Sequence, residues 1–332
     1  MTTVENRIRG VLIGTALGDA MGMPTEYWTQ AMIDEVFPEG VKKFYPTQSQ
    51  DFFGRTMRAG EITDDTANTM LVLDTLVESK GRFSTEKYIN KLIEWKNSMP
   101  TSALVIGPST AKALELIAKG VSMKITGKYG TTNGSAMKVS PIGIVSDYKH
   151  LEELADEVES LCLPTHNTGI AIAGACVIAA CISYVTSGGN DLDELWNIAI
   201  VAAEIGQKRG FSIPCPSLVK RIEKAREIAT KYDLSEARKM IYEELGTGVE
   251  TIETIPAVLA MIQLAKGDPM IAAQLCASLG GDTDTIGAIS CAICGGMNPD
   301  FDESLVKFLE DTNDLIFTLK ASEIKKYSPF ND

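Results

Sequence analysis

Gly10, Gly14, Gly18 and Gly22 recur at every fourth position near the start of the chain. Around them Val4, Ile8, Val11, Leu12 and Ile13 fall at largely helical spacing, and Thr2 with Glu5 fits a capping box that opens the helix. A glycine inside a helix costs up to about 1 kcal/mol relative to alanine. Four of them on one face therefore demand a compensating close approach. Two sources of that approach are open and compatible: a second helix packed tightly against this one, or room beside a ligand site at its C-terminal end.

The helical period continues through most of the sequence. Further helices are expected at 65–79, 85–97, 109–119, 150–161, 168–186, 191–206, 217–231, 234–245, 254–265, 269–279, 285–295 and 301–313. No alternating run of β-branched residues stands out between turn signals. The expected fold class is all-α, a compact single domain of many helices spanning 1–332, since no linker divides the chain and no repeat of 20–50 residues is visible. The longest apolar run, Gly169 to Val185, sits at the lower length limit for a bilayer span. It is built largely of alanine, glycine and cysteine and lacks flanking aromatic belts or basic clusters, so a buried helix is expected and no membrane partner.

A formal charge of −13 argues against a nucleic-acid surface, because nucleic acids and anionic bilayers are polyanions. It also means that a phosphorylated substrate would need cations at its site. Seven cysteines in no disulfide pattern, and an N-terminus without the apolar core of a signal peptide, point to a reducing, cytoplasmic setting. Cys291 and Cys294 form a lone CxxC; with two histidines in the chain, buried packing is expected there rather than zinc.

Two segments far apart share one chemistry. In "GEITDDTANTM" (60–70), Thr63 is placed to cap a helix whose first turn carries Asp64 and Asp65; in "LGGDTDTIGA" (279–288), Asp282, Asp284 and Thr285 precede an apolar helix. Helix capping and the helix dipole explain each segment alone. If the two helix starts converge, Thr63, Asp64, Asp65, Asp282, Asp284 and Thr285 offer six hard oxygen donors, a set suited to Mg²⁺ or Mn²⁺. Four acids so close would require roughly two divalent cations, an arrangement that recurs in hydrolases.

Together "ALGDAMGMPTEYW", "ITDDT" and "LGGDTDTIGA", in that order, resemble the three signature segments of the ADP-ribosylglycohydrolases. That family includes the enzyme that removes ADP-ribose from dinitrogenase reductase, the ADP-ribosyl-acceptor hydrolases and the J1 crystallins. The likeness runs from about Ile8 to Gly296. It implies an all-α fold, a dinuclear Mg²⁺ or Mn²⁺ centre held by the six residues above, and hydrolysis at the anomeric carbon of a ribose. It places Glu26 close to the metals and the scissile ribose. It also makes "YGTTNGSAMKVSPIG" (129–143) a substrate loop. There Gly134 and Ser135 would turn backbone N–H groups towards an anion, Asn133 would offer its amide, and Met137 an apolar contact. His166, otherwise a capping or surface histidine, corresponds to a position near bound ADP-ribose. One departure is visible: relatives acting on modified arginine carry an acid where Val105 stands in "VIGPST", which points away from arginine-linked ADP-ribose.

The resemblance implies a metal-dependent hydrolase releasing ADP-ribose from an ADP-ribosylated protein or a small-molecule riboside. Glu26 or Asp282 would take the proton from water. A nucleoside or nucleotide-sugar hydrolase on the same scaffold is the alternative enzyme, and a non-catalytic crystallin-like protein the alternative of another class. The acceptor, the preferred metal and the oligomeric state are open at this stage.

Overall fold

The computed structural model describes residues 3–98 and 106–331. Thr2 of the expected capping box and Val105 lie outside the described residues. Among the described residues there are seventeen α-helices and no β-strand: α1 (Thr3–Gly22), α2 (Gln30–Val36), α3 (Asp64–Glu78), α4 (Thr85–Ser98), α5 (Pro108–Ala118), α6 (Met123–Thr126), α7 (Ser140–Val145), α8 (Leu151–Cys162), α9 (Gly169–Thr186), α10 (Leu192–Gly206), α11 (Leu218–Lys231), α12 (Leu234–Met240), α13 (Thr251–Leu264), α14 (Pro269–Ala277), α15 (Thr283–Met297), α16 (Glu303–Asn313) and α17 (Phe317–Lys325). The fold is all-α, as the sequence pattern predicts.

The glycine stripe of α1 meets the backbone of α15 directly. A Cβ on Gly10 would lie 2.1 Å from the Gly295 carbonyl oxygen. On Gly14 it would lie 1.9 Å from that of Cys291, on Gly18 2.0 Å from that of Gly287, and on Gly22 2.3 Å from that of Thr283. The descending partner numbers make the two helices antiparallel. From the other side, Gly287 and Gly295 bring their own Cα faces against Gly18 and Gly10. Helix backbones approach this closely only where side chains are absent, so the tight helix pair expected from the stripe is found. The tight helix pair is the packing, and its far end carries Asp19 and Asp284 into the site described below.

Around this pair pack α9, α13, α14 and α17. Every residue of α9 is buried. That helix is long and apolar enough to cross a membrane by composition, yet it lies wholly inside the protein. Cys291 and Cys294 are likewise buried in the core, and all seven cysteines are unpaired.

The long helices match expectation to within a few residues. The short α2, α6, α7 and α17 were not predicted, because seven, four, six and nine residues give periodicity too few turns to register. The expected helix at 234–245 ends at Met240, and Ile241–Leu245 continues as a π-helix into Gly246, whose φ is +81°. Helix α13 starts three residues early, at Thr251.

A methyl group at Gly18 has backbone on both sides and nothing flexible to displace. Gly18→Ala is expected to lower the urea-derived unfolding free energy by at least about 3 kcal/mol, the upper range for overpacking. A loss below about 1 kcal/mol, the lower end of that range, would mean that the seam is looser than described.

Candidate active site

Asp19 is the first link. It sits on the last turn of α1 with no solvent exposure. Its carboxylate accepts from the Thr63 N–H (3.0 Å to Oδ1), from the Thr66 N–H (3.0 Å to Oδ2) and from the Thr66 hydroxyl (2.6 Å to Oδ2). These are the N–H groups that the first turn of a helix leaves without partners. Asp19 thus latches α3 onto α1 and fixes where Asp64 and Asp65 point. In the sequence Asp19 only marks its motif; nothing in the spacing shows that it caps a helix 44 residues away.

The second acidic segment is set by its paired glycines. Gly280 and Gly281 have φ of +90° and +84°, and a Cβ on Gly281 would lie 2.3 Å from the Thr247 carbonyl. This turn lets the Asp282 N–H donate to the Thr247 carbonyl at 2.7 Å and the Tyr27 N–H donate to the Gly281 carbonyl at 2.7 Å. Asp282 then occupies the N-cap position of α15, with Asp284 in its first turn.

The two acidic segments do converge. Single carboxylate oxygens of Asp19, Asp65 and Asp284 lie within 4.8 Å of one another, and so do those of Glu26, Asp282 and Asp284. Asp284 belongs to both groups and joins them. Glu26, Asp64, Asp65, Asp282, Asp284 and Thr285 line a cavity of about 100 Å³. Asp65 Oδ2 accepts from the Thr63 and Thr285 hydroxyls at 3.2 and 3.3 Å, while its Oδ1 is buried without any hydrogen-bond partner.

Burial raises the pKa of this cluster first, and the Asp284 charge adds to it. The Asp19 carboxyl is pushed up to about 7 and that of Asp64 to about 8, while Glu26, Asp65 and Asp282 rise well above the usual carboxylate range. Burial and the same negative field push the Tyr27 hydroxyl, at the rim, up to about 12. An unpartnered carboxylate oxygen among crowded acids, with an all-oxygen donor set and no thiolate or imidazole, fits hard divalent cations. Lys138 adds a charge that the sequence pattern does not reveal. It is fully buried, its ammonium stands 5.3 Å from the Tyr88 ring centroid, and burial lowers its pKa to about 8 against the pull of Asp64 and Asp65.

The expected substrate loop is rearranged in detail. Asn133–Ser135 forms a short 3₁₀ turn rather than an open nest. Asn133 and Gly134 face the cavity, and so does Met137. The Asn133 amide, expected to be offered to substrate, is already committed: its Nδ2 donates to Asp282 Oδ2 and to the Thr254 hydroxyl. Ser135 turns away, donating to the Ala171 carbonyl at 3.3 Å with no solvent exposure. Thr63 is also inward, its hydroxyl used by Asp65. His166 borders the cavity, but both ring nitrogens are engaged, Nε2 with the Thr132 hydroxyl at 3.0 Å and Nδ1 with that of Thr165 at 2.7 Å. Burial, aided by Lys138, holds its pKa well below the ordinary value, so it is neutral. A Cβ on Gly134 would lie 2.9 Å from the His166 ring, which makes the imidazole the floor on which the loop rests.

An all-helical chain with a buried polycarboxylate nest at the joint of three helix ends defines a narrow class of protein. Residues 1–299 match the ADP-ribosylglycohydrolase family, and the chain belongs to that family and is a hydrolase. It is 35% identical to the YegU protein of Escherichia coli (strain K12) over 326 residues, 97% of each chain. It is 24% identical to the ADP-ribosylhydrolase ARH3 of Xenopus tropicalis, covering 89% of this chain and 88% of that one. A solved structure described as an ADP-ribosylglycohydrolase-related protein complex superposes with a TM-score of 0.71 at 20% identity, covering 99% of this chain and all of that one. That likeness shows the shared fold.

These pKa shifts give stability a sign. Acids whose folded pKa exceeds the unfolded value of about 4 favour the fold below that pH, and the contribution is lost as pH rises through the folded values, here to about 8. Metal-free protein is therefore expected to melt about 5 °C or more lower at pH 8.5 than at pH 5.5. Added Mn²⁺ should raise the melting temperature far more at pH 8.5 than at pH 5.5. Equal shifts at both pH values would contradict a carboxylate cation site.

Proposed function

We propose that this protein is a Mg²⁺- or Mn²⁺-dependent hydrolase that cleaves the bond at the anomeric carbon of an ADP-ribosylated substrate and releases ADP-ribose. The observation that carries the reading is the convergence of Asp19, Asp65 and Asp284, and of Glu26, Asp282 and Asp284, beside Asp64 in one cavity wall, with the buried Asp65 Oδ1 lacking any partner in the protein. Membership of the family supplies the reaction class.

Asp64, Asp65, Asp282 and Asp284, with the hydroxyl of Thr285 and the carboxylate of Asp19, would hold two divalent cations. Cations bound there would supply charge neutralisation and Lewis-acid polarisation of the ribose hydroxyls and of water. The chain does the rest. Positive charge builds on C1 as the leaving group departs, and the carboxylates facing the cavity stabilise that oxocarbenium-like state. Glu26 or Asp282, both in the cavity wall, accepts the proton of the attacking water. Asn133 holds Asp282 Oδ2 in place, so its role is to orient an acid rather than to touch a phosphate. Met137 offers the ribose an apolar contact, and neutral His166 fixes the height of the Gly134 turn. The unpaired cysteines support a cytoplasmic setting.

A substrate panel tests this reading: ADP-ribosyl-arginine, ADP-ribosyl-serine, ADP-ribose-1″-phosphate and free nucleosides, each with Mg²⁺ or Mn²⁺ and with EDTA. Metal-dependent release of ADP-ribose from at least one ADP-ribosyl compound is expected. Cleavage of free nucleosides alone would replace it with the nucleoside-hydrolase alternative. No turnover of any riboside would favour a non-catalytic protein.

Asp282→Ala is expected to lower kcat by about 1,000-fold or more, within the range for removing a positioned proton acceptor. Its circular-dichroism helix signal should remain. Near-normal turnover would remove Asp282 from the mechanism.

A further inference from the structure

The segment between α2 and α3 has no regular secondary structure over 45–62, yet it is tied down at both base and tip. At the base, the Thr47 N–H donates to the Met57 carbonyl at 3.1 Å, and the Met57 N–H donates to the Thr47 hydroxyl at 2.9 Å. At the tip, Asp51 Oδ2 accepts from the Phe53 and Arg55 N–H groups at 3.1 and 2.7 Å. Asp51 Oδ1 accepts from Arg55 Nε at 3.1 Å and from Nη2 at 2.8 Å. The Asp51 and Arg55 side chains are only 4% and 3% exposed.

The free end of that guanidinium points into the active site. Arg55 Nη1 donates to Glu26 Oε2 at 2.5 Å, and Nη2 donates to the Met23 carbonyl at 3.3 Å. The Glu26 side chain, 12% exposed, in turn has a carboxylate oxygen within 4.8 Å of one from Asp284. A second contact runs alongside the first. Phe52 and Phe53, from the same segment, pack on Tyr27 with ring centroids 5.2 Å away in each case, and Tyr27 follows Glu26 directly. Tyr27 itself is held at a φ of +62° by its bond to the Gly281 carbonyl.

A surface ion pair contributes little, but this one is buried and bidentate on one side, where geometry is fixed. An arginine with Nε and Nη2 spent on Asp51 has one remaining edge, and its position dictates where Glu26 Oε2 rests. We infer that Arg55, gripped by Asp51, is a positioning residue that sets the orientation of Glu26 over the acid nest, and so brings segment 45–58 into the active site. The inference rests on the reading of Glu26 as a group of the hydrolytic site. A lysine would keep the charge but lose the fork, since its ammonium cannot engage Asp51 and Glu26 in one plane.

The test uses full-length, Mn²⁺-loaded protein and whichever riboside the wild type cleaves. Arg55→Met is expected to lower kcat about 100-fold with KM changed less than about threefold, the signature of a misplaced reacting group rather than lost binding. Arg55→Lys should recover about tenfold of that loss. In a Glu26→Gln background, Arg55→Met should cost nothing further, because the residue it acts through is already gone. Multiplicative losses in the double variant, or a change confined to KM, would overturn the inference. If Arg55→Met fails to fold, Asp51→Asn keeps the volume and carries the same comparison. Crystal structures of wild type and Arg55→Met add a readout that needs no turnover: the Glu26 carboxylate should move by more than about 1 Å. An unmoved Glu26 would overturn the inference. Absence of wild-type activity on every riboside would instead overturn the hydrolytic reading, and the Glu26 position would still decide the role of Arg55.

Discussion

Contact between the backbones of α1 and α15 is the constraint on which the rest of the molecule depends. Four glycines on one helix lie against carbonyl groups of the other at distances no Cβ would permit. Dispersion forces and close packing act only across such short separations, so the pair is rigid along its length. Its rigidity matters at one end. There the last turn of α1 presents Asp19, the first turn of α15 presents Asp284, and Asp19 captures the N-terminus of α3 with Asp64 and Asp65. A chain that placed these acids on loops would let them separate. This one fixes their backbones by packing that the acids themselves cannot relax.

The electrostatic consequence is a site that works against its own assembly. Burial and mutual repulsion raise the carboxyl pKa values, which weakens the metal-free fold as pH rises. Two buried cations moderate the strain from the flanks. Lys138 lies on the Asp64 side, above the Tyr88 ring, and Arg55 lies on the Glu26 side. Neither comes near to balancing six acids, so the remaining demand for positive charge is a property of the folded chain. That demand is the physical ground for the cation site proposed above.

Much of this was legible in the sequence, and the reasons differ from one feature to the next. Gly10 to Gly22 announced close helix packing because glycine at every fourth residue weakens a helix unless a second backbone packs into the space it leaves. Thr63, Asp64, Asp65, Asp282, Asp284 and Thr285 stood out because two distant segments repeated one local chemistry. What escaped was contact made across the fold. Asp19 and Arg55 are single charged residues in no repeated pattern, and only the tertiary structure shows what each one holds. Lys138 drew no reading, because burial of a lone lysine leaves no mark on spacing. The internal bonds of the Asn133 amide and the Ser135 hydroxyl, which the 3₁₀ turn directs to Asp282 and to the Ala171 carbonyl, likewise leave no mark on spacing.

Anomalous diffraction from crystals grown with Mn²⁺ tests the central claim most directly. Two peaks are predicted among Asp19, Asp64, Asp65, Asp282 and Asp284, with oxygen ligands at about 2.0–2.3 Å, one of them Asp65 Oδ1. An acid cluster holding no anomalous peak at millimolar Mn²⁺ and pH 8, its oxygens paired through shared protons instead, would contradict it.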